Sequence, residues 1–156
     1  MVSTLFEIRA LPPEVLASVR ATDRDVSENP VEHLVTDGGE PLRCCLRNAE
    51  PGERAILFGY EPPLPPSPYR EIGPVFAHEE PCGGPTGSDY PPAWRGRRQI
   101  LRAYDARGRI HESTREHDGA EPERVIAEIM ANPDVVQIHS RNVSYGCYMF
   151  TVIRSI

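Results

Sequence analysis

His78, Glu79, Glu80 and Cys82 bring an imidazole, two carboxylates and a thiol within five consecutive positions of a 156-residue chain. A histidine beside a cysteine can take the thiol proton, and the thiolate so formed attacks carbonyl or phosphoryl centres. The same atom types are those that zinc selects for a tetrahedral shell. His139 and Cys147 form a second pair, expected on adjacent strands of a C-terminal hairpin. The candidates for acid, base or nucleophile are therefore His78, His139, Cys82 and Cys147. The spacing carries neither C-x₂-C nor H-x₃₋₅-H, so no metal and no cofactor is expected, and free cysteines in cores are commonly inert.

Arginines supply a different chemistry. A guanidinium grips carboxylate or phosphate with two parallel hydrogen bonds. Side chains alternate between the two faces of a strand, so residues 41–47 would place Leu42, Cys44 and Leu46 opposite Arg43, Cys45 and Arg47. Residues 98–104 put Arg98, Ile100, Arg102 and Tyr104 on one face. Residues 135–141 put Val135, Gln137, His139 and Arg141 on one face. Convergence of Arg43, Arg47, Arg102, Tyr104 and Arg141 with His78 and His139 would form a pocket for a small anion. The competing reading leaves these arginines on a solvated face, paired with the surplus acids.

These groups must be positioned by short strands, two helices and long proline-rich loops. The chain holds 17 prolines; residues 61–68 and 81–92 are so rich in them that neither stretch can be helix interior or central strand. Residues 4–10 alternate as a strand. Leu11-Pro12-Pro13-Glu14 opens a helix reaching about Arg20, with proline and an acid suited to a first turn. Residues 23–40 are polar and end in the turn signal Asp37-Gly38-Gly39. Residues 41–47 and 54–60 form a hairpin around Pro51-Gly52. Residues 72–79, 98–104 and 109–114 continue a meander. Residues 122–131 carry the apolar stripe Val125, Ile126, Ile129 and Met130 of a second helix, a stripe that serves packing. Strands at residues 135–141 and 145–154 close the chain. The expected fold is α+β: a mainly antiparallel sheet of about six to eight strands with two packed helices, in a single domain over residues 1–156. Its N-terminal strand and helix lie in residues 1–40, and the sheet, proline loops, second helix and hairpin in residues 41–156. Gly83-Gly84-Pro85-Thr86-Gly87 lacks the lysine of a phosphate loop and is a connector. Trp94 is expected to pack over the sheet, and His33, His111 and His117 to lie at the surface.

Charge narrows the partners. With 17 basic and 23 acidic residues the net charge is −6, which disfavours attraction to nucleic acid or to an anionic membrane. No apolar run is long enough to span a bilayer and no secretory signal opens the chain. A cytoplasmic location is expected, where Cys44, Cys45, Cys82 and Cys147 would stay reduced.

The segments PLRCCLRNAEPGERAILFGY, SPYREIGPVFAHEEPC, LRAYDARGRI and IHSRNVSYGCYMF resemble a bacterial family known as domain of unknown function 1203. The resemblance runs from about Pro41 to Arg154 and is most specific in SPYREIGPVFAHEEPC and RNVSYGCYMF. It implies a shared fold and site region, and no reaction. Three functions stand open at this point. One is a domain that binds a small anionic ligand on an Arg- and His-lined sheet face. Another is a small enzyme acting on an anionic metabolite through a histidine acid/base or a cysteine nucleophile. The last is a structural or homo-oligomerising domain.

Overall fold

The computed structural model describes residues 6–155. The elements run β1 (Phe6–Arg9), α1 (Pro13–Thr22), β2 (Glu32–Val35), β3 (Pro41–Leu42), β4 (Arg47–Asn48), β5 (Arg54–Tyr60), β6 (Gly73–His78), a 3₁₀ turn (Pro92–Trp94), β7 (Gln99–Tyr104), β8 (Arg115–His117), α2 (Pro122–Met130), β9 (Gln137–Asn142) and β10 (Tyr148–Arg154). Thr4 and Leu5, expected at the start of the first strand, lie outside the described residues.

Among the described residues ten strands form two five-stranded sheets, where a single sheet of six to eight was expected. The first sheet has the order β1-β10-β9-β7-β8 and the second β2-β5-β6-β3-β4. All pairings are antiparallel except that of β3 with β6. Each sheet has its own core. Val125, Ile126 and Ile129 of α2 pack with Leu101, Ile138, Phe150 and Trp94 on the first. Leu16 and Val19 of α1 pack with Ile56, Phe58 and Val75 on the second. Both helices have proline in the first turn, where a missing N–H is harmless. Asp23, left-handed at φ 56°, ends α1 by donating its N–H to the Val19 carbonyl.

The sheets meet at β10. Tyr148 belongs to the first sheet by pairing and to the second core by packing, and its ring lies 5.5 Å from that of Tyr60. Trp94 is fully buried, stacked on Phe150 at 6.2 Å, and gives its indole N–H to Asn48 Oδ1 at 2.9 Å. Among the described residues no helix is long and apolar enough to cross a membrane.

Several local expectations are corrected. Residues 41–47 are not one strand: β3 and β4 are two residues each, joined by a tight turn in which Leu46 sits at φ 59° and donates to the Leu42 carbonyl. Strand alternation therefore does not govern Arg43, Cys44 and Cys45. The partners of β5 are β2 and β6 rather than residues 41–47, and β2 arises inside the polar stretch expected to hold only turns. After β7 the chain makes a single bridge at Ile110 before pairing as β8. His117, on that strand, is buried rather than at the surface, and its Nδ1 accepts from the Gly119 N–H.

Candidate metal centre

The β3–β4 turn makes the site. Because β3 runs parallel to β6, with Arg43 N–H bonded to the Phe76 carbonyl at 2.8 Å, the turn residues Cys44 and Cys45 face the end of β6, where His78 stands. The backbone N–H of His78 donates to Cys44 Sγ at 3.2 Å. Four positions on, Cys82 returns to the same place, and Gly83 and Gly84 (φ 83° and 82°) then turn the chain through a conformation that side chains resist.

The ligand atoms of Cys44, Cys45, His78 and Cys82 all lie within 4.8 Å of one another. Sγ of Cys44 is 3.9 Å from Sγ of Cys45 and 3.3 Å from Nδ1 of His78, and Sγ of Cys45 is 3.7 Å from the same nitrogen. A tetrahedral zinc with bonds of about 2.3 Å to sulfur and 2.0–2.1 Å to nitrogen has edges of about 3.8 Å between sulfurs and about 3.6 Å between sulfur and nitrogen. Two cysteines 3.9 Å apart are too distant for a disulfide. Three thiols and an imidazole thus stand at the corners of a shell of zinc size.

The imidazole is oriented from behind. Its Nε2 lies 2.9 Å from Glu53 Oε2 and 3.1 Å from Nη2 of Arg47; with the ionised carboxylate as acceptor, Nε2 carries the proton and Nδ1 presents its lone pair to the sulfurs. This carboxylate is gripped on both oxygens by Arg47, at 2.9 Å each, and also accepts the Glu50 N–H at 2.8 Å. Arg47, then the Glu50 N–H and His78, hold the Glu53 carboxyl well below the usual carboxylate range. A histidine backed by a carboxylate in this way is the usual outer shell of a zinc ligand. The Cys44 thiol is drawn down, chiefly by the hydrogen bond it shares with Cys45 and then, against burial, by the His78 N–H. Cys45, sharing that bond with Cys44 and partly buried, is pushed up.

The segment carrying two of the ligands is clamped from the N-terminal unit. Arg20, in the last turn of α1, donates to the carbonyls of His78 (2.9 Å) and Glu80 (3.4 Å). Between them Glu79 is held by His33 at 2.8 Å and Arg54 at 2.9 Å, and His33 reaches Asp23 at 2.6 Å. Cys44, Cys82 and Gly83 also line a groove of about 1620 Å³, together with Leu16, Ile56, Tyr60, Gln137, Tyr148 and Thr151.

The other expected residues fall in separate places. Arg43 is buried and bonded to two backbone carbonyls, Tyr148 at 2.8 Å and Pro41 at 2.6 Å; burial pulls it down to about 10, and it stitches the two sheets together. Arg47 serves Glu53. Arg102 and Arg141 meet on Glu71, at 2.8 and 2.6 Å from the same oxygen. His139 is fully buried with its ring 4.6 Å from that of Tyr104, and burial, followed by the charges of Arg141 and Arg102, pushes it down to about 3. Cys147 lies in the β9–β10 connection, apart from the Cys44–Cys45–His78–Cys82 cluster, and the well-directed hydrogen bond of the His139 ring goes to Gln137. Cys44 and Cys45 had no part in the sequence reading of the site. The signal for them was the adjacent pair Cys44-Cys45 together with His78-x₃-Cys82, a ligand pattern split over two segments that only the parallel β3–β6 contact joins.

Residues 39–154 match the model of a family described as a protein of unknown function (DUF1203). No curated protein and no solved structure matches the chain.

Proposed function

The chain belongs to the DUF1203 family, and from its own geometry we propose that it is a zinc-binding domain whose Cys₃His centre fixes one wall of a ligand groove. The observation that carries this reading is the convergence of Cys44, Cys45, Cys82 and His78 within 4.8 Å, with Glu53 behind the imidazole. Four protein ligands fill a tetrahedral shell, the arrangement of centres that hold structure rather than activate water. Here the ion would tie the β3–β4 turn, the end of β6 and the loop after it into one unit beside the groove. A cytoplasmic setting would keep the thiols reduced for the metal. The binding role is favoured over a cysteine enzyme because Cys44, Cys45 and Cys82 are mutual neighbours, and a thiol committed to zinc is not a free nucleophile.

Metal content of the purified protein, with cobalt(II) titration of the stripped chain, tests this. The expected result is one zinc per chain, a tetrahedral thiolate spectrum with cobalt, and loss of both in Cys44→Ser and His78→Ala. Stripping should also lower the melting temperature, because binding to the folded state alone adds stability. Protein grown in zinc-supplemented medium that holds no stoichiometric metal and gives no tetrahedral cobalt spectrum would overturn the reading.

A further inference from the structure

The face of the first sheet opposite α2 carries a second cluster. In register, Arg102 stands across from His139 and Ile100 across from Arg141, while Tyr148 and Thr151 of β10 face Arg141 and His139. Arg102, His139 and Arg141 therefore project from neighbouring strands on one side. His139 and Tyr104 are fully buried and Arg141 is 7% exposed. Even so, among the described residues Nε of Arg141 makes no hydrogen bond, and Nδ1 of His139 and the hydroxyl of Tyr104 make no well-directed one, Arg102 being the neighbour of the hydroxyl and the Pro63 carbonyl that of the imidazole. Buried polar atoms left short of partners are costly, and the unmet Nε of Arg141 leaves donor capacity on this face for a ligand.

Charge points to what that is. Burial and the adjacent guanidiniums keep His139 neutral at ordinary pH, so Arg102 and Arg141 are the charges of the cluster. Both turn to a single carboxylate oxygen, Glu71 Oε1, at 2.8 and 2.6 Å. Arg141 spends one more N–H on the Gly146 carbonyl, at 2.9 Å. Two guanidiniums on one oxygen leave the two-pronged grip of each unused, which an anion with several oxygens would satisfy. Glu71 itself is half exposed and belongs to the irregular stretch between β5 and β6, so it can leave without breaking a strand.

We propose that Arg102 and Arg141 form a binding site for the carboxylate or phosphate group of a small molecule, and that Glu71 fills this site as an internal competitor. The site adjoins the groove: Gln137, which bonds His139 Nε2 at 2.8 Å, lines it, as do Tyr148 and Thr151. A ligand would place its anionic end on the arginines and its body along the groove. The proposal does not depend on the metal centre, whose residues are elsewhere.

The test titrates inorganic phosphate and succinate into the protein as purified, followed by amide NMR shifts on β7 and β9. Glu71→Ala should bind at least one probe at least tenfold more tightly than the unaltered chain, because the competitor is gone. Adding Arg102→Ala to Glu71→Ala should abolish that gain; Arg102 is partly exposed, so this variant keeps the fold even if Arg141→Ala does not. A response to phosphate alone or succinate alone supports the site and names its class. No shift on β7 and β9 in Glu71→Ala with either probe, or shifts that survive Arg102→Ala, would sink the proposal.

Discussion

Glu53 and His78 are joined by one hydrogen bond of 2.9 Å, from imidazole Nε2 to carboxylate Oε2, and that bond decides which ring nitrogen faces the three cysteines. The Arg47 fork on Glu53 keeps the carboxylate ionised and in place. An imidazole so held offers Nδ1 as a lone pair without any rearrangement on metal entry.

Replacing Glu53 with Gln should therefore weaken zinc retention without unfolding the chain. Loss of a carboxylate behind a ligating histidine costs about 10–100-fold in metal affinity. Competition with a chromophoric chelator reads this directly, and an affinity equal to that of the unaltered chain would show that Glu53 does not orient the ligand.

Arg20→Ala should loosen the segment that carries His78 and Cys82, since its guanidinium holds the carbonyls of His78 and Glu80. We expect faster amide hydrogen exchange at residues 80–84 and about tenfold weaker metal retention. Arg20→Lys, which keeps one donor, should recover part of both. Unchanged exchange in the alanine variant would rule out the clamp.

His33 should make stability fall as pH rises. Asp23 first and then Glu79 raise its pKa above the ordinary 6.5. The folded state therefore binds the proton more tightly than the unfolded chain. This contribution is complete below about pH 6.5 and disappears as pH climbs through the higher folded value. Melting temperatures across this window should decline more steeply in the unaltered chain than in His33→Gln. Parallel curves would show that the Asp23–His33–Glu79 bridge adds nothing.

His139 acts in the opposite direction. Its folded pKa lies near 3 because the ring is buried beside two guanidiniums. Between about pH 6.5 and that value the unfolded chain takes up a proton that the folded chain refuses, so stability is lost as pH falls, by an amount on the order of a few kcal/mol. His139→Gln should flatten the acid limb of the denaturation midpoint plotted against pH. An unaltered acid limb would place the sensitivity elsewhere.

The parts of the fold legible in sequence are those where pattern and packing agree. The stripe Val125, Ile126 and Ile129 became the buried face of α2, and the alternation of residues 98–104 and 137–141 sorts side chains as β7 and β9 do, whereas Val135 precedes β9 and packs in the first core rather than beside Gln137 and His139. Residues 41–47 misled because an apolar run reads as a strand, whereas Leu46 takes a left-handed conformation that breaks it. This one break folds Cys44 and Cys45 toward His78, so the feature hardest to read locally made the centre. β2 was hidden because its residues are mostly exposed and polar on the edge of the second sheet. The arginines were read as one group because register sorts faces within a strand and says nothing about which strands become neighbours.

The hold of Arg20 and His33 on residues 78–80 reaches across the start of the family match at residue 39. A fragment trimmed to the matched region would discard the splint along with its helix. The contacts that brace the centre thus extend beyond the stretch the family shares, into the helix that precedes it.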